Sequence, residues 1–280
     1  MAGRVRRSLA AGCGLACLAV VLPAAPGAAP SPEPALLHLS PGADVERALA
    51  AGEVQAFAAD LAAGEPCLVA AEQRGIDLVL EVRRADGASL AAVDGPLDRW
   101  GTEVLLLHPE AAGSYRIEVR SEQQGVGSGS YSLRLEPVPV ATPAERERAA
   151  GLAAATAGGA LLHRQAPGAA DQASAAYEEA RGHFRAAGDR RGEAEAVNAL
   201  AALAHRRGRR RQAADLYRDS AVRWRELQQP AREVRAWNDL GLTWWELGDL
   251  PAAESALASG LALARELDED AETSRKMQAV

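Results

Sequence analysis

One lysine, Lys276, stands against thirty arginines, and the chain holds only three cysteines, two methionines and two phenylalanines in 280 residues. Two of the cysteines, Cys13 and Cys17, lie in the first apolar run, so without it Cys67 is left alone and no intrachain disulfide can form. Cys67 sits in the apolar run Pro66–Ala70 and reads as a buried small hydrophobe. The longest apolar stretch, from Ser8 to Leu22, is short of the ~20 residues that a membrane-spanning helix needs. The five histidines, His38, His108, His163, His183 and His205, are scattered without i, i+4 pairing or cysteine partners, so no zinc site is implied. The glycines form neither a Walker nor a dinucleotide loop, and Gly125–Gly129 has the wrong register for a nucleophile elbow. The chain therefore reads as a non-enzyme, with no catalytic residues, no cofactor and no metal ligands.

What is present falls into blocks. A basic start at Arg4, Arg6 and Arg7, the apolar run and the small-residue stretch Ala24–Ala29 have the form of a secretory signal over residues 1–29. That places the protein in the periplasm or outside the cell. A lipid anchor at Cys13 or Cys17 is the alternative form of export. Residues 31–140 carry 8 basic and 17 acidic residues, a net of -9, whereas residues 141–280 are nearly neutral. An acidic first half argues against nucleic-acid partners, which need clustered cations.

From Leu36 to Pro137, short apolar runs alternate with Gly, Pro and Asp turns about ten residues apart, the texture of an antiparallel β-sandwich. Strands are expected at Val54–Asp60, Cys67–Glu72, Leu78–Arg83, Ser89–Val93, Glu103–Leu107, Tyr115–Arg120 and Tyr131–Glu136. Tyr115, Ile117 and Val119 should share one face, as should Tyr131, Leu133 and Leu135, because side chains alternate along a strand. The runs Gly52–Phe57, Gln73–Leu78, Asp86-Gly87, Gly113–Ile117 and Gly129–Tyr131 resemble the bacterial pre-peptidase C-terminal-like β-sandwich family. That resemblance implies an accessory, non-catalytic module. Some relatives bind calcium, and Asp77, Asp94, Asp98 and Glu103 are the acidic residues that could be read that way. Solvated turns and strand-end caps are the plainer reading of them.

Pro137, Pro139 and Pro143 mark residues 138–145 as a stiff linker. Beyond it the chain repeats every 40 residues. Asn198–Ala201 falls on Asn238–Gly241, Gly208 on Gly248, Ala213 on Ala253, and Arg225–Leu227 on Arg265–Leu267. Three helical hairpins follow, at about 146–187, 192–228 and 232–268, with a tail at 269–280. Trp237, Leu240, Gly241, Trp244, Gly248 and Ala253 resemble the tetratricopeptide (TPR) pattern. The fold class expected is thus multidomain, all-β followed by all-α: an antiparallel sandwich and then a TPR-like superhelical array. Such units stack on their neighbours, and the array reads as uncapped after residue 268.

Two features are candidate partner-binding sites. Arg206, Arg207, Arg209, Arg210 and Arg211 flank one inter-helix turn and suit an anionic partner, with a solvated turn as the plainer reading. Trp245, beside core-facing Trp244, is placed toward the concave face of the array. The function expected is an exported, non-catalytic scaffold that holds a protein or peptide partner in the TPR groove. Leader, sandwich and repeats in this order also resemble the N-terminal region of secreted bacterial CHAT (caspase-like) peptidases, which implies the alternative of a regulatory and targeting portion without its catalytic domain. A calcium- or glycan-binding sandwich with the repeats as a stalk is the second alternative.

Overall fold

A computed structural model describes residues 36–278 apart from Asp98 and residues 122–126, with side chains up to Leu267. The expected leader and residues Gly125 and Val126 lie outside the described residues.

Nine strands are found among the described residues: β1 Leu37–His38, β2 Asp44–Ala50, β3 Val54–Leu61, β4 Cys67–Arg74, β5 Val79–Arg84, β6 Ser89–Val93, β7 Trp100–Leu107, β8 Gly113–Arg120 and β9 Ser128–Pro137. They form two sheets, ordered β1-β3-β8-β5-β6 and β2-β9-β4-β7. Every pairing is antiparallel except the two-residue β1 on β3. The seven expected strands are all present. β1 and β2 carry no alternation in sequence because both are edge strands with exposed side chains; in β2 only Leu49 is buried. The expected tight turn at Ala85–Ala88 closes with Gly87 at φ +86° and the Asp86 carboxylate accepting from the Ala88 N–H at 2.9 Å.

The sandwich core forms as the alternation requires. Tyr115, Ile117, Val119, Tyr131, Leu133 and Leu135 point inward with Phe57, Val69, Leu80 and Leu105. β4 breaks the alternation, and the reason is a second core. Val69 and Ala71 face the sandwich interior, while Leu68 and Ala70 on the opposite face join Leu106 and Val138 against helical residues. A strand covered on both faces reads as a continuous apolar run, which is what Cys67–Ala71 shows.

Among the described residues six helices follow: α1 Pro143–His163, α2 Ala169–Ala187, α3 Arg190–Arg206, α4 Arg210–Glu226, α5 Pro230–Glu246 and α6 Leu250–Gln278. They pair as three hairpins. α1 starts at Pro143, inside the stretch read as linker. Thr142 caps it in a reciprocal box with Glu145, and proline at the first helical position lacks only an N–H that would be unpaired anyway. α6 takes in most of the stretch read as a tail, since Ala, Glu, Arg, Lys and Met favour helix and no Gly or Pro interrupts them. At Gly248 the chain turns with φ +80° and Asp249 accepts from the Ala252 N–H at 3.1 Å, as the repeat predicts.

α1 lacks the repeat anchors because it is buried on several sides. A Cβ on Gly151 or Gly158 would lie 2.7 Å from the Phe184 ring or 2.8 Å from the Tyr177 ring of α2, and one on Gly159 would lie 3.1 Å from Val93 of β6. Glycine lets α1 sit this close to both the sandwich and α2. Thr156 completes the attachment: its hydroxyl accepts from the Leu106 N–H at 2.9 Å and donates to the Val104 carbonyl at 3.3 Å. β7 is an edge strand, and the helix satisfies backbone groups that the edge leaves unpaired.

Candidate interaction surface

The odd-numbered helices turn toward the sandwich. α1 lies on β7 and β6, and α3 lines a cleft of about 280 Å³ with β4, β7 and β9. The cleft is apolar at its base, with Leu68, Ala70, Leu152 and Ala196, and charged at its rim, with Arg134, Arg148, Asp189 and Glu195. α5 is tied across the mouth by Arg232, whose guanidinium bridges Glu72 of β4 at 3.2 Å and Glu195 of α3 at 2.7 Å and donates to Thr102 of β7 at 3.0 Å. The same group lies over the Trp224 ring at 4.9 Å. The sheet therefore packs against α1, faces α3 across this cleft and is tied to the start of α5 by Arg232. Leu68, Ala70 and Leu106 required an apolar cover, and the array supplies it.

The face opens again along the last hairpin. Arg235, Asn238, Leu242 and Trp245 follow an i, i+3, i+7, i+10 stripe on α5. Arg235 lies over the Trp100 ring of β7 at 5.9 Å, and beyond it Leu242 and Trp245 are exposed, Trp245 by 63%. A groove of about 510 Å³ runs beside this stripe, between Val234 and Asn238 of α5 and Leu257, Gly260 and Leu261 of α6, with Trp100 at its end. Sequence reasoning located Trp245 but missed Leu242, Trp100, Arg232 and the groove. The 40-residue period held the signal for the groove, because it places Leu257 and Leu261 on the buried positions Tyr217 and Ala221.

The five arginines do not act together. Arg207 pairs with Asp171 of α2, and Arg210 with Glu246 of α5 at 2.6 Å, so these two bolt successive hairpins together. Burial works against ionisation of Glu246, but Arg210 and His205 outweigh it and hold the carboxyl below its usual range. Arg206, Arg209 and Arg211 are exposed, and Arg209 and Arg211 border a shallow basin closed by Leu247. Of the other tryptophans, Trp224 is fully buried, while Trp237 and Trp244 are half-buried under Arg225 and Arg218.

Of the acidic set in the sandwich, Asp98 lies outside the described residues. Asp77 and Asp94 act electrostatically on Glu103, which is only 2% exposed. Both Glu103 oxygens accept hydrogen bonds, from the Gly95 N–H at 2.6 Å and the Gln73 amide at 3.2 Å. Gln73 in turn accepts from the Leu78 N–H at 2.9 Å. This is a buried network that fixes the loops between β4 and β7. Among the described residues no group of three or more His, Cys, Asp or Glu is placed to hold a metal ion, and no helix is long and apolar enough to cross a membrane. Cys67 is buried, and burial pushes its thiol up to about 11.

No protein-family model and no curated protein matches the chain. Solved structures are similar to its parts. The pre-peptidase C-terminal domain of a Bacillus anthracis collagenase is 13% identical with a TM-score of 0.30, covering 36% of this chain and 94% of that one. The TPR domain of Arabidopsis FLU is 19% identical with a TM-score of 0.38, covering 44% of this chain and 99% of that one. Aeromonas hydrophila PliG, a periplasmic lysozyme inhibitor of g-type lysozyme, is 14% identical with a TM-score of 0.30, covering 36% of this chain and 96% of that one. The neighbours thus include both kinds of module that the sequence resembles, a β-domain and a helical-repeat array.

Proposed function

We propose that the chain is an exported, non-catalytic scaffold that binds a protein partner through the last helical hairpin. One observation carries the reading: beside the contact of Arg235 with Trp100, exposed Leu257 and Leu261 of α6 line a groove with α5, and farther along α5 Leu242 and Trp245 stand exposed. An exposed apolar groove on a charged protein marks a protein-binding site, and tryptophan is among the residue types most enriched at binding hot spots. The basic n-region and apolar run of residues 1–29 support export.

Photo-crosslinking in the native host tests the binding site. A photoreactive residue at position 245 should give discrete adducts that disappear when Leu242→Asp is added, and one at exposed Glu254 should not give them. Identical adducts from both positions, or none from 245, would contradict the proposal. Mass spectrometry of the purified native protein tests export. A mature N-terminus near residue 29 is expected, and an intact leader on all of the protein would contradict it.

A further inference from the structure

The internal repeat specifies what fits the groove of the last hairpin. In the middle hairpin the equivalent groove, between α3 and α4, is occupied by α5. Ala236 and Trp237 pack with Ala194, Ala221 and Trp224, and Leu240 packs with Ala201 and Tyr217. Forty residues on, the same groove positions are exposed: Tyr217 is 6% exposed and Leu257 38%, Ala221 0% and Leu261 52%. The seating of the incoming helix also repeats. Arg185 at the end of α2 binds Glu193 of α3 at 2.7 Å, and Arg225 at the end of α4 binds Glu233 of α5 at 2.6 Å. Each buried glutamate starts the same pattern, Glu193-x-x-Ala196-Val197-x-x-Leu200-Ala201 and Glu233-x-x-Ala236-Trp237-x-x-Leu240-Gly241. Arg265 holds the next position in this ladder and is exposed, with no carboxylate among the described side chains paired to it.

We infer that the groove between α5 and α6 receives an amphipathic helix of another protein, with its glutamate on Arg265 and its small, aromatic or branched, and leucine residues against Leu257 and Leu261. This inference rests on the proposed function and specifies its partner. The far end of the groove discriminates among candidate helices. In the middle hairpin His205 and Arg210 bind Glu246 of the incoming helix at 2.9 and 2.6 Å. Their repeat equivalents are Trp245 and Leu250, both exposed and apolar. A helix that fits must carry an apolar residue there, thirteen positions after its glutamate. α5 of a second copy has Glu246 at that point and would bury a carboxylate against tryptophan without a cation, an expensive arrangement. The occupant is therefore a foreign helix rather than a second copy.

The probe is a fluorescent peptide with the sequence of residues 230–247 carrying Glu246→Leu, titrated onto the purified protein by anisotropy. Saturable binding is expected, weakened about tenfold by Arg265→Glu or by Glu233→Arg in the peptide, and restored when the two reversals are combined. Leu261→Asp should abolish it, and the peptide that keeps Glu246 should bind more weakly. Circular dichroism confirms that both protein variants remain folded. Absence of binding, or binding indifferent to Leu261→Asp, would overturn the inference while leaving the crosslinking result at position 245 intact. Concentration-dependent dimers in sedimentation that Leu261→Asp dissolves would also overturn it, in favour of a second copy. Loss of the position 245 adducts with the peptide still bound would instead count against the surface proposed above.

Discussion

Glu103 couples the junction of sandwich and array to pH. Burial first, and the neighbouring Asp94 carboxylate second, push its carboxyl up to about 8 from an ordinary 4.5. The folded protein keeps this proton while the unfolded chain has released it. Stability is therefore complete below the ordinary carboxylate value and drains away as the pH rises through about 8. The melting temperature should fall between pH 5 and 9, and Glu103→Gln should flatten that fall; an unchanged slope in the variant would contradict the assignment. Phe184 makes a second prediction at this scale. Its ring is pinched between Gly151 and Gly192, on which an added Cβ would come within 2.7 and 2.5 Å of it. Phe184→Ala should cost about 3–5 kcal/mol in a denaturant melt. The 40-residue repeat puts Phe184 on the position of buried Trp224, but its contacts with the two glycines were not legible. The acidic character of Glu103 was visible and its hydrogen-bond partners were not, because Gln73 and Gly95 reach it through tertiary folding alone.

At the scale of elements, the 40-residue period is carried by backbone conformation as well as side chains. Gly188, Gly208 and Gly248 end their helices at φ +71°, +73° and +80°. The turn after α4 puts Gln228, at φ +54°, where the turn after α2 has Gly188. A residue with a Cβ in the left-handed region costs about 1–2 kcal/mol, so Gln228→Gly should raise the unfolding free energy by about 1 kcal/mol. No gain in a urea titration would show that the turn relaxes otherwise. Helix positions were legible where small and large residues recur at fixed spacing, as from Asn198 and Asn238 onward. α1 was only partly legible, since Gly151, Gly158 and Gly159 serve contacts to the sandwich and α2 that no repeat unit shares. β1 and β2 escaped because most of their side chains are exposed, whereas the edge strands β6 and β7 bury side chains and so leave a pattern.

For the whole molecule, the sequence points to two modules on a stiff linker, and the structure shows them fused. Leu68, Ala70, Leu106 and Val138 share one core with α1, α2 and α3, and Arg232 ties α5 to β4 and β7. The trace of this in sequence was the failure of alternation at Cys67–Ala71, which meant a second covered face. The fusion also determines which surface is free. With α1 lying on β6 and β7 and Arg232 tying α5 to β4 and β7, the proposed binding site is the exposed groove of the last hairpin. Calorimetry of the purified protein at neutral pH tests this most directly. One body predicts a single unfolding transition with equal calorimetric and van't Hoff enthalpies, shifted down as a whole by combining Thr156→Val with Arg232→Ala. Two separate transitions, or a shift confined to one of them, would contradict it.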